Sequence, residues 1–309
     1  MAEGVLAVRS AECVATYSII AHDPSREEWG VAVQSRSLAV GSIVPWAKAG
    51  VGVIATQARA NYTYGPRGLE LLESGMSADQ VVSTLIKGDE ASEIRQFAVL
   101  DSQGKASAFT GEQCNYWAGH KTSHGISCQG NILVSPEVVD EMYRAYFSRE
   151  GDLAERLVAA LEAAQAAGGD RRGMQSAALV VVREAGGFGN LCDRYIDLRV
   201  DDDASPIRAI RRLLDLHRVT FARQHVGRKY RLSPSVREQV ASWLCRLGIA
   251  VTAENSKTVD ELTPVGCGDT PEEWIDGDQV AELRTRVQEV LDQDLAQQET
   301  EIKAKKNPR

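Results

Sequence analysis

The stretch Thr16-Tyr17-Ser18-Ile19-Ile20-Ala21-His22-Asp23 decides the fold, because it is the first run of the chain that is typical of a buried strand. Its centre is apolar, and Asp23-Pro24 ends it. Two further runs of the same kind follow at residues 30–36 and 50–57, and each finishes on hydroxyl, amide or charged residues. The pattern predicts a polar cluster at one end of a sheet, where catalytic sites are often found.

The order of the remaining elements indicates the fold class. Helices are predicted at 64–74 and from Ser77 to Gly88, a hairpin at 97–110, a strand at 126–133 and helices from Ser135 and at 153–167. Strands at 176–182 and 195–200 and a helix at 206–217 complete the series, and residues 111–125 are predicted to be a long loop. Strands and helices that come in pairs, without regular β–α–β alternation, favour an α+β fold with largely antiparallel sheets.

Length and composition restrict the class of protein. A chain of 309 residues predicts one large domain and a small one, and 43% hydrophobic with 25% charged residues is ordinary for a soluble protein. A net charge of −8 argues against a broad surface for nucleic acid or acidic membrane. No run of about 18 apolar residues predicts a membrane span. Glu3, Arg9 and Glu12 interrupt any secretory apolar core, which favours the cytoplasm.

The cysteines and histidines predict neither a metal nor a cofactor. Six cysteines are scattered without CxxC or CxxH spacing, which favours buried thiols over disulfides or zinc ligands. His120 and His124 have an i, i+4 spacing, but glycines surround them and no third ligand stands near in the sequence.

Six pieces of the sequence carry a resemblance to a known family, and it covers roughly residues 16–218. They are Thr16-Tyr17-Ser18-Ile19, Gly30-Val31-Ala32-Val33-Gln34-Ser35-Arg36, Ala55-Thr56-Gln57-Ala58, Tyr64-Gly65-Pro66-Arg67-Gly68-Leu69, Gln129-Gly130-Asn131-Ile132-Leu133 and Gly168-Gly169-Asp170-Arg171-Arg172-Gly173. These pieces resemble the domain of unknown function 1028 family, which is assigned to the N-terminal-nucleophile hydrolase superfamily. The resemblance implies a four-layer helix–sheet–sheet–helix sandwich and, by analogy with the superfamily, a homodimer.

The resemblance also implies a nucleophile, Thr16. In such enzymes an N-terminal threonine supplies the attacking Oγ, and its free α-amine, with a pKa of about 8, accepts the proton. Residues 1–15 are then a leader or propeptide, released by attack of Thr16 on the Ala15 carbonyl. Three alternatives stay open: an ordinary strand threonine, a misassigned start, or an inactive member of the family.

Other candidate site residues follow from the same motifs. Asn131 is the candidate for oxyanion stabilisation, with a turn residue as the alternative. Ser35 and Arg36 are candidates for polarising the nucleophile or holding a substrate carboxylate, since an arginine fork gives two hydrogen bonds. The remaining substrate-binding candidates, whose alternative is an ordinary loop or surface role, are Thr56, Gln57, Asn61 and Asp170.

The sequence is compatible with two functions. The first is an amidohydrolase with a domain at 16–224 that acts on a small amide, a ureido compound or a peptide-like bond. The second is a non-catalytic protein of the same fold that recognises a peptidoglycan fragment. Residues 232–296 are predicted to form a small helical domain before a polar tail at 297–309. Its residues 236–248 and 271–274 weakly resemble a peptidoglycan-binding module, which supports the second function, and a small helical cap that packs on the first domain is the alternative.

Overall fold

A computed structural model describes residues 16–221 of the chain. The expected leader at 1–15, the small helical domain at 232–296 and the polar tail at 297–309 lie outside the described residues.

Ten strands form two sheets in which all the paired strands are antiparallel within residues 16–221. The six-stranded sheet, in the order β10-β9-β2-β1-β8-β7, consists of β1 (Thr16–Asp23), β2 (Glu28–Ser35), β7 (Trp117–Ser123), β8 (Ile126–Leu133), β9 (Ser176–Val182) and β10 (Arg194–Val200). The four-stranded sheet, in the order β3-β4-β5-β6, consists of β3 (Pro45–Lys48), β4 (Gly52–Ala58), β5 (Arg95–Asp101) and β6 (Ala106–Thr110). β1 therefore lies in the interior of its sheet.

Five α-helices cover the sheets in this part of the chain. They are α1 (Tyr64–Glu73), α2 (Ala78–Lys87), α3 (Glu137–Ser148), α4 (Leu153–Ala166) and α5 (Pro206–Thr220). The start of α2 has the local signal that the sequence predicts. Ser77 and Gln80 form a capping box, in which each side chain accepts a hydrogen bond from the other residue's backbone N–H.

Three apolar cores separate the four layers. Tyr17 and Ile19 of β1 pack on one side with residues of α3, α4 and α5, such as Leu157. The core between the two sheets includes Ile20, and the third core, between the four-stranded sheet and α1 and α2, includes Phe97. The fold is therefore α+β, a helix–sheet–sheet–helix sandwich, as expected.

Two local expectations were wrong. Residues 111–125 are not one long loop, because β7 pairs with β8 along the sheet edge. Its side chains are polar or partly exposed, as suits an edge strand, so the apolar alternation that marks a strand is missing. The ends of the first two strands also do not meet at one end of the sheet, although the sequence predicted that they would. His22 and Asp23 at the end of β1 lie opposite Trp29 and Glu28 at the start of β2, because antiparallel neighbours end at opposite ends of a sheet.

None of the helices within residues 16–221 has the length and apolar character needed to cross a membrane.

Candidate functional site

Alternation along β1 determines which way Thr16 faces. Tyr17, Ile19 and Ala21 pack against the helices, whereas Ile20 packs in the core between the sheets. Because successive strand side chains point to opposite faces, Thr16 shares a face with Ser18 and Ile20. The Thr16 side chain therefore points into the space between the two sheets.

Strand register places two of the predicted residues beside Thr16. Ser35 of β2 lies directly opposite it on one side, and Asn131 of β8 lies directly opposite it on the other. Residues in direct register share a face, with Cβ atoms about 5 Å apart. All three side chains are fully buried. The structure thus brings together three residues that are far apart in the sequence.

The second sheet faces Thr16 with carboxamides. Gln57 of β4 donates from Nε2 to the Thr16 carbonyl oxygen at 3.4 Å and to Gln96 Oε1 at 2.8 Å. Asn131 Nδ2 donates to the same Gln96 oxygen at 3.0 Å, and Ser18 Oγ donates to Gln57 Oε1 at 2.6 Å. These contacts join β1, β4, β5 and β8 across the layer.

The network continues along β8. Gln129 Nε2 donates to Ser18 Oγ at 2.7 Å, and Ser127 Oγ donates to Gln129 Oε1 at 2.7 Å. We call the connected and in-register set the interlayer polar cluster: Thr16, Ser18, Ser35, Gln57, Gln96, Ser127, Gln129 and Asn131, all fully buried. None of these side chains carries a charge. At the other end of the same strands the space between the sheets is apolar, filled by residues such as Ile20, Val31 and Val53.

Two of the seven non-glycine residues that have a positive φ within residues 16–221 adjoin cluster members. Ile132 follows Asn131 with a φ of 52°, and Ala58 follows Gln57 with a φ of 65°. The left-handed region is disfavoured for residues with a Cβ, most of all for a β-branched residue. Such strain persists where the surroundings enforce it and is frequent at functional sites.

Asp170 and Arg36 lie at the same end of the six-stranded sheet as Thr16, but their contacts stabilise a loop. Asp170 is buried, accepts a hydrogen bond from the Arg36 N–H at 3.2 Å and pairs with Arg172 at 2.9 Å. The exposed Arg36 guanidinium donates to Gln175 Oε1 at 2.6 Å. Burial first, and then the charge of Asp170, raises the pKa of Tyr17. Asp170 thus holds the loop after α4 against β2.

Thr56 and Asn61 are placed away from the cluster. Thr56 precedes Gln57 on β4 and therefore points to the opposite face, where its Oγ1 donates to the Asn61 carbonyl at 3.4 Å. Asn61 donates to Asp89 Oδ2 at 3.1 Å and accepts from the Thr63 N–H at 3.1 Å, at the start of α1. Their contacts therefore stabilise the loop that leads into α1.

His120 is connected to the cluster from the edge strand. Thr110 Oγ1 lies 2.8 Å from His120 Nδ1 and accepts a hydrogen bond from Gln96 Nε2 at 2.9 Å. The Thr110 hydroxyl can either donate to His120 Nδ1 or accept from it, so both neutral tautomers of His120 fit this contact. Burial lowers the pKa of His120. Within residues 16–221, no three His, Cys, Asp or Glu side chains are grouped as metal ligands.

Several cluster members had not been singled out from the sequence: Ser18, Gln96, Ser127 and Gln129. A signal for three of them exists, since Ser18, Ser127 and Gln129 interrupt otherwise apolar buried strands at alternate positions. Gln96 follows Arg95 at the start of β5, where polar residues that flank a strand are common, so its sequence position does not indicate a role. Only the pairing of the sheets shows that it faces Asn131.

Comparison with known proteins agrees with the resemblance. The sequence model of the family of unknown function DUF1028 matches residues 16–210. The crystal structure of protein SPO2555 from Silicibacter pomeroyi, described with the family model DUF1028, is 30% identical over 66% of this chain and 89% of that one, with a TM-score of 0.61. No curated protein matches the chain. Because the family model spans more than half of the sequence, this chain belongs to the DUF1028 family.

Proposed function

We propose that the chain is an amide hydrolase that uses Thr16 as an N-terminal nucleophile on a small amide, a ureido compound or a peptide-like bond. The observation that carries the proposal is the position of Thr16 at the first residue of β1, in register with Ser35 and Asn131 and facing a buried set of carboxamides. At the other end of the same layer the space between the sheets is filled with apolar side chains. We would expect the same filling around Thr16 if this position had only a structural role. Burying polar groups is costly unless they are hydrogen-bonded, so a polar half-layer has a reason beyond packing.

Activation requires that the Ala15–Thr16 bond be cut. While that bond is intact the Thr16 nitrogen is an amide and cannot act as a base. In the proposed step Thr16 Oγ attacks the Ala15 carbonyl carbon, the C–N bond breaks, and the hydroxyl proton moves to the departing nitrogen. Water then hydrolyses the resulting ester, which returns the hydroxyl to Thr16 and leaves a carboxylate on Ala15.

Turnover uses the same atoms. The free α-amine takes the proton from Thr16 Oγ as the oxygen attacks the substrate carbonyl, and that proton then goes to the leaving nitrogen. Water, deprotonated by the amine, hydrolyses the acyl ester and completes the cycle. Nucleophile and base reside in one residue.

The neighbouring residues supply the remaining roles of the proposal. Asn131 Nδ2 has two N–H groups and donates one of them to Gln96, so the second can donate to an oxyanion. In the proposal Ser35, which lies opposite Thr16 on β2, polarises the threonine hydroxyl. Arg36 follows it at the surface and is the candidate for a substrate carboxylate.

Intact-mass measurement of the purified full chain tests the proposal. The wild type should lose residues 1–15, and Thr16→Ala should keep them and show no hydrolysis of a panel of small amides, ureido compounds and dipeptides. Thr56→Ala is the matched control, because this buried threonine faces away from the cluster. It should be cut and active like the wild type. A wild type that keeps residues 1–15 and still hydrolyses amides, or an active Thr16→Ala, would contradict the mechanism.

A further inference from the structure

The orientation of every carboxamide in the interlayer polar cluster can be derived from two backbone carbonyls. Gln96 Nε2 lies 2.8 Å from the Gly130 oxygen and 3.1 Å from the Gly119 oxygen. Carbonyl oxygens only accept hydrogen bonds, so the nitrogen of Gln96 must face them and its Oε1 must face the other way. Any group that meets Gln96 Oε1 is therefore a donor, which assigns Nδ2 as the Asn131 atom in that contact.

This assignment leaves an acceptor without a partner beside Thr16. With Asn131 Nδ2 turned to Gln96, Oδ1 is the other end of the same amide. Within residues 16–221 this oxygen is buried and has no hydrogen-bond partner. A buried carboxamide oxygen that lacks a donor destabilises the fold because it has lost its hydrogen bonds to water, so a missing partner at this position requires an explanation.

The Thr16 nitrogen lies on the same side. The N–H of His22 donates to the Gly125 carbonyl at 2.9 Å, towards β8. N–H groups along a strand point alternately to its two neighbours, and the register between β1 and β8 is unbroken from Thr16 to Ala21. The nitrogen of Thr16, six residues before His22, therefore points towards β8 and its register partner, Asn131. On the other side of β1, the Ser35 carbonyl accepts a hydrogen bond from the Gln175 N–H. This agrees with a Thr16 nitrogen that points to β8 and not to β2.

We propose that Asn131 Oδ1 accepts a hydrogen bond from the α-amine of Thr16 once the Ala15–Thr16 bond is cut. This inference rests on the proposed function and makes Asn131 a positioning residue for the base. An amide nitrogen has one hydrogen, and the strand pairing directs it at the main chain of β8. An amine has two and an ammonium three, so cleavage creates the donor that Asn131 Oδ1 lacks in the uncut chain.

Other ionisable groups around this position could also change the pKa of the amine. Two ionisable residues adjoin cluster members in sequence, Tyr17 on β1 and Cys128 on β8, and burial raises the pKa of each above its ordinary value, away from neutral pH. Near the cluster on other elements lie Arg36 after β2, Arg59 after β4, Arg95 on β5, His120 on β7 and Asp170 after α4. Arg95 pairs with Asp89 at 3.0 Å and Asp170 with Arg172. His120, whose pKa is lowered by burial, is the histidine among them and reaches the cluster through Thr110 and Gln96, so His120→Gln is needed as a control.

The experiment measures the pKa of the amine without a substrate. Full-length chain is produced with ¹⁵N-threonine, its mass is recorded, and the amine resonance, which lies far from the backbone amides, is followed against pH by NMR. In Asn131→Ala the lost acceptor should lower the amine pKa by about one unit, since the bond favours the ammonium. In Asn131→Asp a carboxylate at the same place should raise it. Ser127→Ala, which removes a hydroxyl elsewhere in the cluster, and His120→Gln should leave it unchanged.

The outcomes separate the inference from the proposed function. A wild-type chain that stays uncut has no such amine resonance and overturns both. Because Asn131 is also the proposed oxyanion donor, a variant that stays uncut is measured on a chain produced to begin at Thr16. A cut chain whose amine titrates at the same pH in the wild type, Asn131→Ala and Asn131→Asp overturns the inference alone. If Asn131→Asp fails to fold, Asn131→Ala decides by itself, because Gln57 continues to donate to Gln96 Oε1 in that variant.

Discussion

Two buried polar clusters lie in this molecule, and they are built from opposite kinds of side chain. The interlayer polar cluster consists of hydroxyls and carboxamides. The second, which we call the helix charge cluster, joins α4 to α5 through Asp152, Glu155, Arg211, Asp215 and Arg218. Arg218 is 2.9 Å from Asp152 and 3.1 Å from Glu155, and all three are buried.

The difference shows how the chain separates stability from chemistry. Charges hold two helices together on the outside of the six-stranded sheet, in the layer opposite to the one that Thr16 faces. The surroundings of Thr16 are polar but neutral. A carboxylate there would hold the α-amine as an ammonium ion and remove the base near neutral pH, whereas a neutral oxygen orients the amine with a smaller rise of its pKa. The neutral cluster therefore suits the proposed reaction.

The largest effect is expected from breaking the helix charge cluster at its centre. Arg218→Met removes the cation that Asp152 and Glu155 share and should lower the free energy of unfolding by about 3–5 kcal/mol, because two carboxylates stay buried. Urea denaturation measures this. Lys48→Met is the matched control, since the Lys48–Glu73 pair is about half exposed, and it should cost less than about 1 kcal/mol. Equal losses in the two variants would show that burial of the ion pair adds nothing.

Acid should weaken the charged region and leave the neutral one unaffected. Burial alone would raise the pKa of Glu155, but Arg211 and Arg218 outweigh it and lower the value from 4.5 to about 2. A carboxyl whose folded pKa is depressed stabilises the fold above its unfolded pKa and loses that contribution as pH falls through the folded value. The free energy of unfolding should therefore drop between pH 4.5 and 2, by about 3 kcal/mol for this group.

The acid dependence is checked by denaturation at a series of pH values. Glu155→Gln cannot be protonated at this position, so its curve should be flatter than that of the wild type over the same range. A variant curve parallel to that of the wild type would assign the acid sensitivity to other carboxyls.

The centre of the interlayer polar cluster should be less costly to break. Gln96→Leu leaves the Gly119 and Gly130 carbonyls and the Gln57 and Asn131 nitrogens without this partner, and it should lower the free energy of unfolding by about 2 kcal/mol. No side chain of the cluster titrates between pH 4 and 6, and the α-amine proposed for Thr16 titrates at about pH 8, so the loss should be the same at pH 4 and at pH 6. A loss that grew towards acid would mean that a charged group is coupled to Gln96, with His120 the first candidate.

The sequence predicts the layers better than it predicts the members of the site. The apolar runs at residues 16–23 and 30–36 are sufficient to predict two buried strands, and their antiparallel pairing brings Thr16 and Ser35 together. Asn131 was found through a family motif, because nothing in its own strand indicates what it faces. Thr56 and Gln57 could have been separated at once, since consecutive strand residues cannot face the same layer. Neither the role of Gln96 nor the strand β7 could be predicted from the sequence. Gln96 lies at the start of a strand and β7 at the edge of a sheet, and only the segments that they contact show what each of them does.

The smallest change in stability is expected at Thr16 itself, where two substitutions divide the side chain into its methyl and its hydroxyl. Thr16→Ser keeps the hydroxyl and loses one buried methyl, which should lower the free energy of unfolding by about 1 kcal/mol and still allow loss of residues 1–15. Thr16→Val keeps the methyl and the shape but has no nucleophile, so its mass should remain that of the full chain. Stability by denaturation should thus change with the methyl, and processing by intact mass should follow the hydroxyl. If Thr16→Val is cut between Ala15 and residue 16 at the wild-type rate, cleavage is the work of another protease, and the polar surroundings of Thr16 have no part in it.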